Sequence, residues 1–193
     1  MTDTTPATLA LTDPRPHHDS LTQALHWISL IAVGSAIATG WIMEELPKGP
    51  TKLQVVNLHA SFGVLILTLT LVRLLWRNAA PAVAPLERPW WLYVAAKAMQ
   101  LALYVLLVAI PLSGVLMMAA KGRSFEVFGL FTFAPLMQLD RGLVHSLEEA
   151  HEVMANLMIG LVGLHTLAAL MHQFVLKDGV MLRMSPFGRK AAN

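Results

Sequence analysis

His26, His59, His165 and His172 lie within long uncharged runs of this sequence, and His151 stands just ahead of the run Val153 to Leu176 that carries the last two. An imidazole can ligate a metal, relay a proton or serve as a hydrogen-bonded core group. Inside a membrane span a titratable side chain is costly and usually functional. His151 and His165 are 14 positions apart. On a helix that spacing returns them to within about 40° of one face, about 21 Å apart along the axis. Two imidazoles then face the same way at two depths.

The elements that position them follow from composition. The chain has 193 residues, 55% of them hydrophobic and only 13% charged, with mean hydropathy +0.57. That is the composition of a membrane protein, and the length is that of one domain. No cysteine is present, which excludes disulfides, thiolate-held iron–sulfur clusters and covalent c-type haem. A net charge of +2 is too small to suggest nucleic-acid binding.

Four largely apolar segments are long enough to cross a bilayer as helices: about 21–43, 53–72, 91–119 and 147–176. Residues 1–20, with three prolines and no apolar core, read as a disordered tail, and 178–193 as a basic tail. Ser20 with Gln23, and Ser146 with Glu149, are capping-box signatures that place the starts of the first and fourth spans. Pro111 should kink the third span. That span has no histidine, so packing and sealing is its expected role. Between Lys121 and Glu149 lies the longest loop, whose FEVFGLFTFAPLM reads as an interfacial cap. With the N terminus inside, inner segments hold nine basic residues (Arg15, Arg73, Arg77, Arg88, Lys97, Lys177, Arg183, Arg189, Lys190) against five outside (Lys48, Lys52, Lys121, Arg123, Arg141). Both termini are therefore expected in the cytoplasm, with Trp41, Trp90 and Trp91 as interface anchors.

Depth then pairs the histidines. Measured from the outer ends of the spans, His59 lies about 9 Å deep and His151 about 6 Å, while His26 lies about 26 Å and His165 about 27 Å deep. His172 falls near the inner surface without a partner at its level, and His17, His18 and His145 read as solvated loop histidines. Two facing histidine pairs suit six-coordinate haem, in which the porphyrin supplies four nitrogens and the protein two axial ones. Zinc would need further ligands close by, and no acidic residue or cysteine lies within the first or second span; a proton relay would need carboxylates between the histidines, and none lies between His151 and His165 beyond Glu152 at the span's start. Gly34, Gly40, Ser61, Gly63, Gly160 and Gly163 would let a flat ring approach the backbone.

The sequence is all-α by this reading: a four-helix transmembrane bundle with a haem site at each histidine pair. It resembles the bacterial cytochrome b561 family over roughly residues 20–186, through ALHW with His26, LHASFG with His59, VRLLWR with Arg73 and Arg77, IPLSGVLMM, and HEVMANLMIGLVGLH with His151 and His165. The resemblance implies a multi-pass protein of the bacterial inner membrane with two non-covalent b haems, His59/His151 on the outer one and His26/His165 on the inner. Many relatives also carry histidines at the start of the third helix, where this chain has Lys97 and Gln100. The KDGVMLRMSP motif brings it near the superoxide oxidase branch, which implies electron transfer from periplasmic superoxide to ubiquinone. Arg73 and Arg77 could neutralise inner haem propionates and Lys52 outer ones; equally, the arginines are topology signals. Two other readings stand beside this one: a cytochrome b subunit shuttling electrons between quinone and a partner redox protein, and a haem-free membrane transporter.

Overall fold

A computed structural model describes residues 17–81, 83, 89–135 and 140–185. Arg15, Arg88, Arg189 and Lys190, and most of both expected tails, lie outside the described residues. Four helices, each long and apolar enough to cross a membrane, dominate: α1 (Ser20–Glu45), α2 (Pro50–Ala79), α3 (Trp90–Ala120) and α4 (Arg141–Met171). They pack in sequence, α1 on α2, α2 on α3 and α3 on α4. Large apolar side chains such as Ile31, Leu75, Leu101 and Leu167 point outward, while Gln23, Ser29, Thr39, Ser61, Thr70 and Ser113 are buried. This inversion suits lipid as solvent, since polar groups can be satisfied only inside. Ser29 and Thr70 do so by donating to the Leu25 and Ile66 carbonyls of their own helices, at 2.6 and 2.7 Å.

Two helix starts differ from the capping-box expectation. The N-cap of α1 is Asp19, whose carboxylate accepts from the Leu21 and Thr22 amides, while Gln23 donates instead to the Arg183 carbonyl at 3.3 Å. In α4 the cap is Asp140, which accepts from Gly142 N–H at 2.8 Å, so the helix begins at Arg141, six residues before the expected start at 147. His145 is thus an exposed helical residue, 3.3 Å from Glu149, and not a loop histidine. At α1 the aspartate just ahead of Ser20 offers an ionised acceptor to the orphan amides, while at α4 Asp140 starts the helix more than a turn before Ser146, which then lies inside it. α3 runs through Pro111 as one helix.

The expected cap contains a β-hairpin, β1 (Phe125–Val127) against β2 (Phe131–Phe133). Its turn places Phe128 at φ 49° and Gly129 at φ 68°, closed by Leu130 N–H to the Val127 carbonyl at 2.9 Å. Phe128 holds this left-handed conformation because its amide donates to the buried Ser61 hydroxyl at 2.9 Å and its ring packs edge-on to Phe62. Phe125 and Val127 bury against Met118, Val56, Ala60, Val64 and Val115, seating the hairpin over the start of α2 and the end of α3.

The segment after α4 does not trail away as a tail. α4 continues through a π-turn (His172–Leu176); Lys177 (φ 51°) and Gly179 (φ 74°) reverse the chain, and a 3₁₀ turn (Leu182–Met184) meets the start of α1. There the Met184 carbonyl accepts from Trp27 Nε1 at 2.9 Å, and the Arg183 carbonyl from His18 N–H at 3.1 Å. Trp76 Nε1 of α2 donates to Asp19 at 3.1 Å, tying three segments together.

Candidate functional site

The structure brings the four membrane histidines into two facing pairs. His59 of α2 and His151 of α4 have ring centroids 6.1 Å apart with planes at 68°, near the hairpin end. His26 of α1 and His165 of α4 are 6.4 Å apart at 70°, near the end where residues 17–19 and 182–185 meet. His172 joins neither pair; its Nδ1 lies 2.6 Å from Asp178 Oδ2.

These distances can be tested against a shared metal. A metal–imidazole bond is about 2 Å and the ligating nitrogen sits roughly 1.1 Å from its ring centroid, so two imidazoles on opposite sides of one metal have centroids about 6.3 Å apart. Both pairs match that separation. Among the described residues no group of three or more His, Cys, Asp or Glu is gathered for a metal, so each site offers two protein donors, the number a porphyrin iron leaves open.

At the hairpin end the nitrogens are already assigned. His59 Nδ1 lies 2.9 Å from the Ala36 carbonyl of α1, which only accepts, so Nδ1 carries the proton and Nε2 a free lone pair. Gly40, one turn beyond Ala36, makes the approach possible: a Cβ there would lie 3.4 Å from His59 Cε1. α3 repeats the device for His151. The Ser113 hydroxyl donates to the Ile110 carbonyl at 2.7 Å and therefore accepts from His151 Nδ1 at 2.8 Å. A Cβ on Gly114 would lie 3.3 Å from His151 Cε1. The third span thus orients a candidate ligand as well as packing. A histidine held through Nδ1–H to a carbonyl or hydroxyl is oriented to bind metal through Nε2.

The other end is built differently. Arg73 Nη2 of α2 lies 3.2 Å from His26 Nδ1, and Arg73 Cζ sits 5.7 Å over the Tyr104 ring of α3. A guanidinium only donates, so here Nδ1 is the acceptor and the ring proton rests on Nε2. His165 remains exposed on the face of α4 nearest His26. Arg77, a turn further along α2, is exposed. Lys52 Nζ donates to the Leu46 carbonyl at 3.1 Å and steadies the α1–α2 turn, and Lys121 pairs with Glu148 at 2.5 Å. Of the small residues expected near a flat ring, Gly40 alone among the glycines touches a histidine; a Cβ on Gly34, Gly63, Gly160 or Gly163 would meet nothing within 4 Å.

Sequence reasoning missed Ala36, Ser113, Gly114 and Tyr104. For Arg73 a signal existed: it follows His59 by 14 residues, the same interval that separates His151 from His165, so it sits at the level of the second pair.

The fold and the site define a multi-pass helical membrane protein that displays histidine pairs at two levels. Residues 17–187 match the family model described as prokaryotic cytochrome b561, and the chain belongs to that family. It is similar to cytochrome b561 homolog 1 of Escherichia coli (strain K12), 33% identical over 165 residues that cover 84% of this chain and 93% of that protein. It is equally similar to the probable superoxide oxidase CybB of Yersinia pestis, 33% over 167 residues (84% and 92%), and to cytochrome b561 homolog 2 of Escherichia coli (strain K12), 33% over 185 residues (91% and 95%). Membership implies b-type haem and membrane electron transfer, in a multi-pass protein of a bacterial membrane.

Proposed function

We propose that this chain is a dihaem cytochrome that takes electrons from periplasmic superoxide and delivers them to ubiquinone in the bacterial inner membrane, with both termini cytoplasmic. His59 and His151 would hold the outer haem and His26 and His165 the inner one. The observation that carries the reading is the separation of the two pairs, 6.1 and 6.4 Å between centroids, each the span of one metal between two imidazoles. Haem bound there supplies one-electron storage and transfer between the two faces of the membrane.

The chain's own contribution is orientation. Ala36, Gly40, Ser113 and Gly114 hold His59 and His151 with Nε2 free. His26 can ligate through Nε2 only when that nitrogen has lost its proton and Arg73 has turned from Nδ1, and a haem propionate is an acceptor that would draw the guanidinium away. Arg77 is a second cation for that role, and Lys52, beyond its bond to Leu46, is the outer one. Overall, two superoxide anions each give up one electron and leave as dioxygen, while one ubiquinone takes both electrons and two protons.

One observation favours a second reading. Lys121, one of the cations available to steer an anion, is already neutralised by Glu148, which suits a cytochrome b subunit exchanging electrons with a partner redox protein. The deciding experiment is a pyridine-haem count and anaerobic difference spectrum of purified protein, followed by mixing the oxidised form with a superoxide source and ubiquinone. Two b haems, reduced by superoxide and reoxidised by quinone, are expected. Two haems that superoxide leaves oxidised would transfer the function to the partner-subunit reading, and an absent Soret band in protein made with ample haem would leave a haem-free transporter.

A further inference from the structure

We infer that the chain sets its two histidine pairs apart electrically: Ser113 and the Ala36 carbonyl make the His59/His151 site electron-rich, and Arg73 makes the His26/His165 site electron-poor. The inference rests on the dihaem reading above, and it concerns the direction in which the two sites pass an electron.

At the hairpin end both Nδ1 atoms face acceptors. An imidazole that donates from Nδ1 to a carbonyl or an oxygen lone pair is a more basic ligand at Nε2. A more basic ligand favours the more highly charged, oxidised iron, so this site has the lower reduction potential. The orientation is enforced. The Ser113 proton is committed to Ile110, so its oxygen can only accept from His151, and Gly40 and Gly114 let the rings lie against the neighbouring helices.

At the other end the neighbour of Nδ1 is a permanent cation. Arg73 is partly buried, between the His26 imidazole and the Tyr104 ring, and among the described residues no carboxylate pairs with it. A fixed positive charge in a low-dielectric setting favours the less charged, reduced state of a nearby site. With His26 ligated, Arg73 would have turned from Nδ1 toward an anionic group of the cofactor, and from there, still beside the pair, it raises the local potential. One electron therefore runs downhill from the hairpin end to the other, oxidising the first site and reducing the second by one electron each, with no bond or proton exchanged.

Ser113 and Arg73 are positioning and tuning residues in this account, so the test reads potentials. Purified holoprotein of the parent chain, Arg73→Met, Arg73→Lys, Ser113→Ala and Ser113→Thr is titrated potentiometrically without oxygen and followed at the haem α band. His151→Ala, keeping only the second haem, assigns the midpoints. The parent is expected to show two one-electron midpoints, the lower at the hairpin end. Arg73→Met should lower the higher midpoint by a tenfold change in the one-electron equilibrium, about 59 mV, and Arg73→Lys should restore most of it. Ser113→Ala should raise the lower midpoint by a severalfold change in the same one-electron equilibrium, and Ser113→Thr should not. Should Arg73→Met lose haem, Arg73→Gln, neutral but still a donor of similar reach, carries the same expectation. Two haems retained with both midpoints unmoved, or the wrong midpoint moved, would overturn the inference while leaving the dihaem reading intact. A parent chain with fewer than two haems, or without a low-spin bis-histidine spectrum, would remove the reading itself.

Discussion

The two ends of the bundle hold the same pair of side chains in opposite ways. At the hairpin end each imidazole leans on the neighbouring helix, His59 on Ala36 and Gly40 of α1, His151 on Ser113 and Gly114 of α3. At the other end His26 meets a guanidinium and His165 is exposed. The surroundings differ in kind as well. The hairpin end is closed by apolar packing of Phe125 and Val127, whereas the other is a polar knot of Asp19, Trp27, Trp76 and the returning Arg183 and Met184. The same imidazole pair can thus be preset by hydrogen-bond acceptors or left under an electrostatic bias, and the difference lies in residues outside the pair.

The largest effect expected is from removing a pairing partner. His59→Ala and His151→Ala should each cut the pyridine-haem count from two to one with the same spectral component lost, and His26→Ala and His165→Ala should share the loss of the other. A histidine whose removal costs the component assigned to the opposite pair would break the comparison at its root. Next come the glycine supports. Gly114→Val and Gly40→Val place methyl groups where a Cβ alone already approaches an imidazole at 3.3 and 3.4 Å, so each should weaken haem retention severalfold at the hairpin end only, read from the same two spectral components.

A smaller effect concerns the lid. Ser61 is 1% exposed and receives the Phe128 amide; Ser61→Ala leaves that buried donor unpaired at a cost of about 1–3 kcal/mol. Faster proteolysis within 122–135 is expected, with the second pair's spectrum unchanged. The smallest effect is pH dependence at the other end. Burial pushes the Asp19 carboxyl up, but hydrogen bonds from Thr22 and Trp76 outweigh it and hold the group below its ordinary value of 3.8. Burial, helped by Arg183 and Arg73 and opposed by Asp19, holds His18 below 6.5. Both groups bind fewer protons folded than unfolded, so their stabilisation is complete above those ordinary values and falls as pH drops through the folded ones. Indole fluorescence of Trp76 and Trp27 should therefore report loosening on acidification, His18 acting first and Asp19 last, and Asp19→Asn should remove the later phase.

Much of the architecture is written in the chain itself. Four long apolar runs must become helices in lipid, because no other backbone arrangement within such a run satisfies its own polar groups. A rise of about 1.5 Å per residue then fixes how deep each histidine sits, which is why His59 can be matched with His151 and His26 with His165 before any contact is known. Helix starts were less legible, since Asp19 caps α1 in place of the adjacent Ser20 and Asp140 starts α4 six residues before Ser146. What faces each Nδ1 was not legible at all. Ala36 offers a backbone carbonyl that every residue possesses, Ser113 looked like part of a proline kink, and Arg73 looked like a topology signal. Rotation of each helix about its own axis decides which of these meets an imidazole. That rotation is set by side-chain packing between helices, among them the approaches at Gly40 and Gly114 and the seat of Arg73 over Tyr104, and is therefore a property of the tertiary structure alone.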